Sequence, residues 1–156
     1  MNIKIHLSHP LAKLPEQTHD TDAGWDVFAA EIIKESNDFY IVKLGFCLEI
    51  PIGYKCVLVP RSSITKTKWL VQNSPGQGDP TYRGEYQYRF RAIPSGVKMD
   101  PDHMWGYSLI YPEFPFKVGE RVGQIFFEEI VPFEWEIVNK LSETNRGAGG
   151  FGSTGK

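Results

Sequence analysis

The chain has 156 residues, of which 41% are hydrophobic, and a formal net charge of −2. This length is enough for one domain with a substantial core, and the small negative charge argues against general binding to nucleic acid. No apolar run approaches the roughly 20 residues that span a membrane, so we expect no membrane partner. Cys47 and Cys56 stand in or beside apolar runs, and we expect free thiols in a reducing, cytoplasmic setting.

Alternation of apolar and polar residues predicts a series of short strands. One short helical turn is predicted over residues 64–68, with Ser62 or Ser63 as its cap. Many short strands, frequent Gly and Pro, and almost no helix favour an all-β domain, as a sandwich, jelly roll or barrel. In chain order, the predicted strands cover residues 3–7, 40–50, 54–59, 86–93, 107–111 and 122–131.

Residues 73–85 are predicted to form a turn, because five of these thirteen residues are Gly or Pro. Asp79 supplies a carboxylate, which could orient and deprotonate a water. Tyr82 could lie flat against a ring, and Asn73 and exposed peptide groups could recognise the edge of a base. The alternative is an ordinary hairpin loop with a turn aspartate.

The C-terminal segment 145–156 has a different composition. Five glycines in the nine residues 147–155 predict a segment without a fixed conformation of its own. Its backbone N–H groups, with Arg146, could wrap around an anion, and Phe151 could stack on a planar group. A frayed terminus is the alternative interpretation.

Five stretches, taken together and in this order, resemble the five motifs of the homotrimeric dUTPases. A compact member with extra sequence and a serine at position 63 would suit a virus or phage. The resemblance implies a single all-β domain over residues 1–140, a distorted jelly roll or barrel. It also implies a flexible glycine-rich arm, residues 141–156, that closes over the active site of a neighbouring subunit. The five stretches are residues 23–27, 60–63, 76–85, 119–124 and 146–155.

The activity that the resemblance implies is hydrolysis of dUTP to dUMP and pyrophosphate by attack of water on the α-phosphate. Asp79 would be the general base, and Asp26 would hold a hydrated Mg²⁺ through water. Tyr82 would pack on the deoxyribose, while Phe151 would close over the uracil. The substrate-binding residues implied by the family are Arg61, Ser62, Ser63, Asn73, Gln77, Gly78, Tyr82, Gln87, Gln124, Arg146, Phe151, Gly152, Ser153 and Thr154.

The sequence departs from the family pattern at several places. Gly78 stands where a branched aliphatic residue is usual, so we expect a missing packing contact and a looser loop. Ser63 replaces a commoner glycine, and dCTP deaminases also carry Arg-Ser-Ser at this motif. Extra apolar sequence over residues 92–116 predicts an added hairpin or lengthened strands, which could serve as a partner surface. Glu120 and Arg121 are expected to form a structural pair at the trimer centre.

Two other functions remain open from the sequence. One is a dCTP deaminase, or a bifunctional deaminase–diphosphatase, on the same fold; that chemistry needs a glutamate at the cytosine ring, and Glu85 is the only carboxylate nearby. The other is a regulatory binding protein that is switched by the nucleotide.

Overall fold

The computed structural model describes residues 1–99 and 106–150. These residues form short β-strands and one 3₁₀ helix, Ser62–Lys66. The strands are β1 (Lys4–Leu7), β2 (Trp25–Phe28), β3 (Glu31–Lys34), β4 (Phe39–Lys43), β5 (Phe46–Glu49), β6 (Tyr54–Val59), β7 (Trp69–Val71), β8 (Gly76–Gly78), β9 (Gln87–Ala92), β10 (Gly96–Met99), β11 (Tyr107–Ile110) and β12 (Arg121–Glu129).

Two antiparallel sheets of four strands build the domain. Their strand orders are β2-β12-β6-β8 and β3-β4-β9-β7, and β1 pairs with β5 in a separate ribbon. Side chains from both large sheets, among them Leu58, Ile125, Val42 and Phe90, belong to one buried cluster. Two sheets that share one core form a layered all-β domain, so the expected distorted jelly roll is confirmed.

Strand β9 illustrates how the sequence pattern builds this core. Tyr88, Phe90 and Ala92 are buried, while Arg89 and Arg91 between them are exposed. This alternation places one face of the strand in the core and the other in solvent, as the sequence predicts.

An aromatic cluster holds the segment after β11 against the sheet of β9. The ring of Phe114 stacks on Tyr40, with centroids 4.3 Å apart, and packs edge-on against Trp69 at 5.0 Å. The indole Nε1 of Trp69 donates a hydrogen bond to the carbonyl of Glu113 at 2.9 Å. The chain is therefore anchored on its way from the β10–β11 hairpin to β12.

The single strand predicted over residues 40–50 is wrong, because β4 and β5 are separate strands that belong to different sheets. Gly45 lies between them with φ of +72°, a conformation that favours glycine. A Cβ at this position would overlap the side chains of His9, Ala12 and Ala30. The turn depends on this backbone conformation and this crowding, which the alternation of apolar and polar residues does not show.

Other predicted features need smaller corrections. The short strands β3, β7, β8 and β10 were not predicted, since three or four residues carry little periodicity. The 3₁₀ helix lies at the predicted place, but the expected serine cap is wrong. The helix begins at Ser62 itself, its N-cap is Arg61, and that cap makes no side-chain hydrogen bond.

Two segments are largely exposed, namely the strands β10 and β11 and the stretch after β12. Residues 92–116 contain an antiparallel hairpin of β10 and β11, one of the two forms expected there. After β12, residues 130–148 are exposed, including large apolar side chains such as Phe133, Trp135 and Ile137. Among the described residues there is no helix long and apolar enough to cross a bilayer.

Candidate active site

A cleft of about 240 Å³ lies beside the edge strand β8. It brings together five residues that the sequence predicted to bind substrate: Asn73, Gln77, Gly78, Tyr82 and Gln87. The full lining is Leu58, Asn73, Gly76, Gln77, Gly78, Tyr82, Glu85, Tyr86 and Gln87.

Asn73 fastens the two sides of the cleft to each other. Its Nδ2 donates to the carbonyl of Gln87 at 3.0 Å, and its Oδ1 accepts from the backbone N–H of Arg89 at 2.8 Å. A carboxamide has two N–H donors and two acceptor lone pairs, so one of each is left for a ligand. Asn73 thus positions the backbone of β9 and keeps hydrogen-bonding capacity for a base.

Strand β8 offers its outer backbone edge to a ligand. On its inner side it pairs with β6, with Gln77 opposite Val57 and Gly78 opposite Cys56. The Oε1 of Gln77 accepts a hydrogen bond from Nζ of Lys55 at 3.3 Å. An edge strand presents unpaired N–H and C=O groups on its other side, and these can pair with the polar edge of a planar base.

Asp79 and Tyr82 occupy the turn that follows β8. The backbone carbonyl of Asp79 accepts from the N–H of Tyr82 at 3.1 Å, which closes the turn. The Asp79 side chain is exposed, and within residues 1–99 and 106–150 its carboxylate makes no hydrogen bond or ion pair. The Tyr82 ring is 45% exposed, and its hydroxyl donates to the carbonyl of Glu85 at 3.2 Å. A carboxylate and a ring face are therefore both accessible next to the cleft.

The missing packing contact expected at Gly78 is wrong. A Cβ at Gly78 would overlap the hydroxyl end of the Tyr86 ring, so that ring already fills the space of a side chain at position 78. Tyr86 is buried, stacks on Phe46 with centroids 5.8 Å apart, and meets Tyr82 edge-on at 5.5 Å. The ring of Tyr86, eight residues further along the chain and in the same cleft, therefore makes the packing contact that a side chain at position 78 would make.

A second group of predicted residues meets at Asp26, on β2. Its Oδ1 lies 3.1 Å from Nε of Arg61 and accepts from Nε2 of Gln124, also at 3.1 Å. Its Oδ2 lies 3.3 Å from Nε of Arg121. Three segments distant in sequence are thereby joined at one buried carboxylate, because β12 pairs with both β2 and β6. We call Asp26, Arg61, Arg121 and Gln124 the phosphate cluster.

Glu120 and Arg121 do not pair with each other among the described residues of one subunit, and their pairing at the trimer centre stays a prediction. Arg121 faces Asp26, whereas Glu120 accepts a hydrogen bond from the backbone N–H of Lys117 at 2.9 Å. Two guanidinium groups on one carboxylate leave the phosphate cluster with a net positive charge. Arg61 and Arg121 are each partly exposed, and Ser62 lies exposed beside Arg61 with Ser63. Such a cluster suits phosphate oxygens.

The described residues fit a magnesium ion only in a limited way. They contain no group of three or more acidic, histidine or cysteine side chains that could hold a metal. Asp26 is a single carboxylate with three donors already in place, which leaves room for one further hydrogen bond. Mg²⁺ commonly keeps several waters and is bound largely by substrate phosphates, and one water-mediated carboxylate is compatible with that habit.

Of the arm, the described residues 141–150 do not line the cleft of their own chain. Arg146 is exposed, and its Nε donates to the carbonyl of Gly149 at 2.9 Å. The predicted residues Phe151, Gly152, Ser153 and Thr154 lie outside the described residues.

Sequence reasoning missed the structural work of two residues at the cleft. Tyr86 fills the space above Gly78, and Glu85 accepts from the backbone N–H of Gly45 at 3.0 Å while its other oxygen lies 3.9 Å from Lys43. The sequence signal for Tyr86 was Gly78 itself, because an unusually small residue in a turn leaves space that a neighbouring side chain must fill.

The family model of dUTPase matches residues 11–90 and 110–155 of the chain. The deoxyuridine 5'-triphosphate nucleotidohydrolase of Helicobacter pylori is 32% identical over 157 residues, which cover 99% of this chain and 97% of that protein. The enzyme of the same name from Clostridium tetani is 35% identical, with 99% and 97% covered.

Solved structures agree with this assignment. The dUTPase of Staphylococcus bacteriophage 80alpha, determined with dUPNHPP, superposes with a TM-score of 0.78 at 25% identity and 99% coverage of both chains. The dUTPase of phage phi11 of S. aureus, with its species-specific insert, shares the fold at a TM-score of 0.68 and 23% identity, over 92% of this chain and 100% of that one. The chain belongs to the dUTPase family.

Proposed function

We propose that this chain hydrolyses dUTP to dUMP and pyrophosphate by attack of water on the α-phosphate. The observation that carries the proposal is the cleft at β8, where a backbone edge, Asn73 and the ring of Tyr82 adjoin the accessible carboxylate of Asp79. Hydrolysis of dUTP limits uracil in DNA and supplies dUMP for thymidylate synthesis.

Asp79 acts as the general base in this proposal. Its carboxylate accepts a proton from the attacking water, and a base of this kind typically contributes about 10²–10⁴-fold. Tyr82 packs on the deoxyribose and leaves no room for a 2′-hydroxyl. Asn73 and the backbone of Gln77 and Gly78 pair with the uracil edge, and Gln87 lines the same cleft. A base with a different donor pattern would leave those groups unpaired, which is costly.

The phosphate cluster binds the triphosphate. Arg61 and Gln124 are held by Asp26 and, with Ser62 and Ser63, donate to phosphate oxygens. A bound Mg²⁺, held to Asp26 through water, would neutralise charge on the triphosphate. Because Asp26 fixes both donors before substrate arrives, their orientation is set in advance.

Deamination of dCTP receives no support from the geometry. Glu85, the only candidate glutamate at the cleft, is committed to the backbone N–H of Gly45 and lies near Lys43. A carboxylate held in that way supports the fold and is not aimed at a base.

The proposal includes a homotrimer in which subunits share each site. Residues 130–148 leave the core and expose Phe133, Trp135 and Ile137 to 71%, 88% and 98%, which is unusual for large apolar side chains unless they meet a partner. An apolar cleft lined by Ile3, Ile5, Trp25 and Phe127, with neighbouring residues, offers such a segment a matching surface. The arm, residues 141–156, then brings Arg146 to the γ-phosphate and Phe151, Gly152, Ser153 and Thr154 over the nucleotide of a neighbour.

We place the enzyme in the cytoplasm, since Cys47 and Cys56 are both free thiols. Residues 92–116, whose β10–β11 hairpin exposes Val97, Met99 and Tyr107, are proposed as an insertion relative to the family. The family model leaves residues 91–109 unmatched, which supports an insertion that begins near residue 92, whereas residues 110–116 are matched.

Substrate profiling tests the proposal. Pyrophosphate release should be far faster with dUTP than with dTTP, dCTP or UTP, and no ammonia should be released from dCTP. Comparable kcat/KM for dUTP and UTP would show that Tyr82 does not exclude a 2′-hydroxyl. Ammonia release from dCTP would favour the deaminase.

Truncation tests the arm. Residues 145–150, the described part of the segment 145–156, hold no strand, so removal of 145–156 should barely change Tm of the protein without nucleotide while turnover collapses. Light scattering should report three times the 17.8 kDa of one chain. A fully active monomer would contradict the shared site.

A further inference from the structure

Tyr86 and Tyr88 lie two residues apart in the chain. Each ring fills the space that a side chain would take at a glycine. The Tyr88 ring lies where a side chain at Gly123 would be, and the Tyr86 ring lies where a side chain at Gly78 would be. Both rings are buried, at 0% and 3% exposure. The two residues have the same shape and burial, so their hydroxyl groups can be compared directly.

The hydroxyl groups differ in their hydrogen bonding. That of Tyr88 lies 2.8 Å from the carbonyl of Gln124 and 3.0 Å from the carbonyl of Val59, and donates to this pair of acceptors. That of Tyr86 is buried and has no hydrogen-bond partner among the described residues. Buried polar groups are normally paired, so the isolated hydroxyl of Tyr86 calls for an explanation.

The position of this hydroxyl points to the cleft. Gly76 and Gly78 lie opposite Leu58 and Cys56 on β6, and residues two apart on a strand share a face. Gly76, Gly78, Leu58 and Tyr86 all line the cleft, so the Tyr86 hydroxyl reaches the face of β8 that borders it. Gly78 directly precedes Asp79, and the hydroxyl lies where a Cβ on Gly78 would be, so it is close to the start of that turn.

The hydroxyl is available as a donor. Burial raises the pKa of Tyr86, and the nearby Cys56 adds to this effect, so the phenol keeps its proton across the neutral range. A neutral phenol with no acceptor can donate one hydrogen bond to a ligand oxygen.

We propose that Tyr86 is a further base-binding residue, whose hydroxyl donates to a carbonyl oxygen of the pyrimidine when the nucleotide occupies the cleft. This rests on the proposed function, since it takes the cleft as the nucleotide site. This hydrogen bond forms when the nucleotide binds, and the free protein carries the cost of burying an unpaired hydroxyl. In this chain the tyrosine ring at position 86 takes the space of an aliphatic side chain at position 78. The tyrosine supplies a hydrogen-bond donor, which an aliphatic residue would not.

The test uses Tyr86→Phe, with Tyr88→Phe as the matched control. Each substitution removes one buried hydroxyl and keeps the ring. Tyr86→Phe should leave Tm of the nucleotide-free protein unchanged or raise it, and should weaken binding of dUMP and of dUPNHPP, measured by calorimetry, by about 3- to 10-fold, the worth of one neutral hydrogen bond. Tyr88→Phe should lower Tm, because it leaves two carbonyls without their donor.

Either of two results would overturn the inference. One is Tyr86→Phe binding both nucleotides as the unmodified protein does. The other is a fall in Tm equal to that of Tyr88→Phe, which would mean that the Tyr86 hydroxyl is already paired without nucleotide. If the unmodified protein hydrolyses dUTP and Tyr86→Phe binds normally, only this inference fails. If the unmodified protein neither binds dUPNHPP nor hydrolyses dUTP, the proposed function fails with it.

Discussion

The base cleft and the phosphate cluster are built in opposite ways. The cleft comes mostly from one continuous stretch, residues 73–87, and presents backbone groups that Asn73 and the β6 pairing hold in place. The phosphate cluster joins three segments far apart in sequence through the buried carboxylate of Asp26. Under the proposed function, the local, backbone-built cleft selects which base enters, whereas the cluster of side chains around one charge would serve any triphosphate.

This difference makes separate predictions for selectivity and for catalysis. Changes in the cleft should alter the ratio of kcat/KM between dUTP and other nucleotides. Changes in the phosphate cluster should lower kcat/KM for all of them by a similar factor. Asp79 belongs to neither group of contacts, and its loss should remove turnover without altering either kind of binding.

The largest effect is expected from Asp79→Asn. The amide keeps the shape of the carboxylate but cannot take a proton, so kcat should fall at least about 10²-fold with little change in affinity for dUPNHPP. Steady-state turnover together with calorimetry measures both quantities. Hydrolysis at nearly the normal rate would show that Asp79 is not the base.

Asp26→Asn should have the next largest effect. The substitution removes the negative charge that Arg61 and Arg121 share, so these phosphate-binding groups move slightly from their positions. A small displacement of binding groups can lower the rate by up to about 10²-fold. We expect a fall of about 10- to 100-fold in kcat/KM, of similar size for dUTP and dCTP, and a lower Tm. Asp38→Asn is the matched control, since Asp38 pairs with Arg91 at 2.6 Å on the surface.

The control should change little, because an exposed ion pair contributes about 0–1 kcal/mol. If Asp26→Asn lowered kcat/KM for dUTP but not for dCTP, the separate roles given to the phosphate cluster and to the cleft would be contradicted.

Asn73→Ala should act mainly on selectivity. It removes two hydrogen bonds to the backbone of Gln87 and Arg89 and the remaining capacity for a base. We expect kcat/KM for dUTP to fall about 10-fold, in line with one or two hydrogen bonds of about 0.5–1.5 kcal/mol each, with a smaller fall for dCTP. An equal fall for both nucleotides would place Asn73 outside base recognition.

The smallest effect concerns stability at Gly78. Gly78→Ala places a Cβ against the Tyr86 ring and should destabilise the fold by about 1–3 kcal/mol, the usual cost of overpacking. Adding Tyr86→Val should recover much of that loss, because the smaller side chain returns the space. Denaturant unfolding of the two single variants and the double variant measures the coupling; strictly additive losses would deny that the two positions share one space.

Much of the cleft could be predicted from the sequence because its parts are close together in the chain. Asn73, Asp79 and Tyr82 fall within one turn region, and local spacing was enough to group them. The phosphate cluster could not be derived in that way, since the contact of Arg121 with Asp26 depends on the pairing of β12 with β2. Sequence alternation indicates which side of a strand is buried but not which strand lies beside it.

The errors have similar physical causes. A single strand was predicted over residues 40–50 because the apolar run is continuous, whereas the turn depends on the positive φ of Gly45 and on the crowding around it. The looseness expected at Gly78 overlooked Tyr86, whose ring reaches back across the cleft. In both places the deciding contact comes from elsewhere in the chain.

Hydrolysis of dUTP in water enriched with oxygen-18 tests the central chemical claim most directly. Attack on the α-phosphorus places the new oxygen on dUMP, so mass spectrometry should find one oxygen-18 atom in dUMP and none in pyrophosphate. Label in pyrophosphate, or release of dUDP and inorganic phosphate, would contradict water attack on the α-phosphate in the cleft of Asp79.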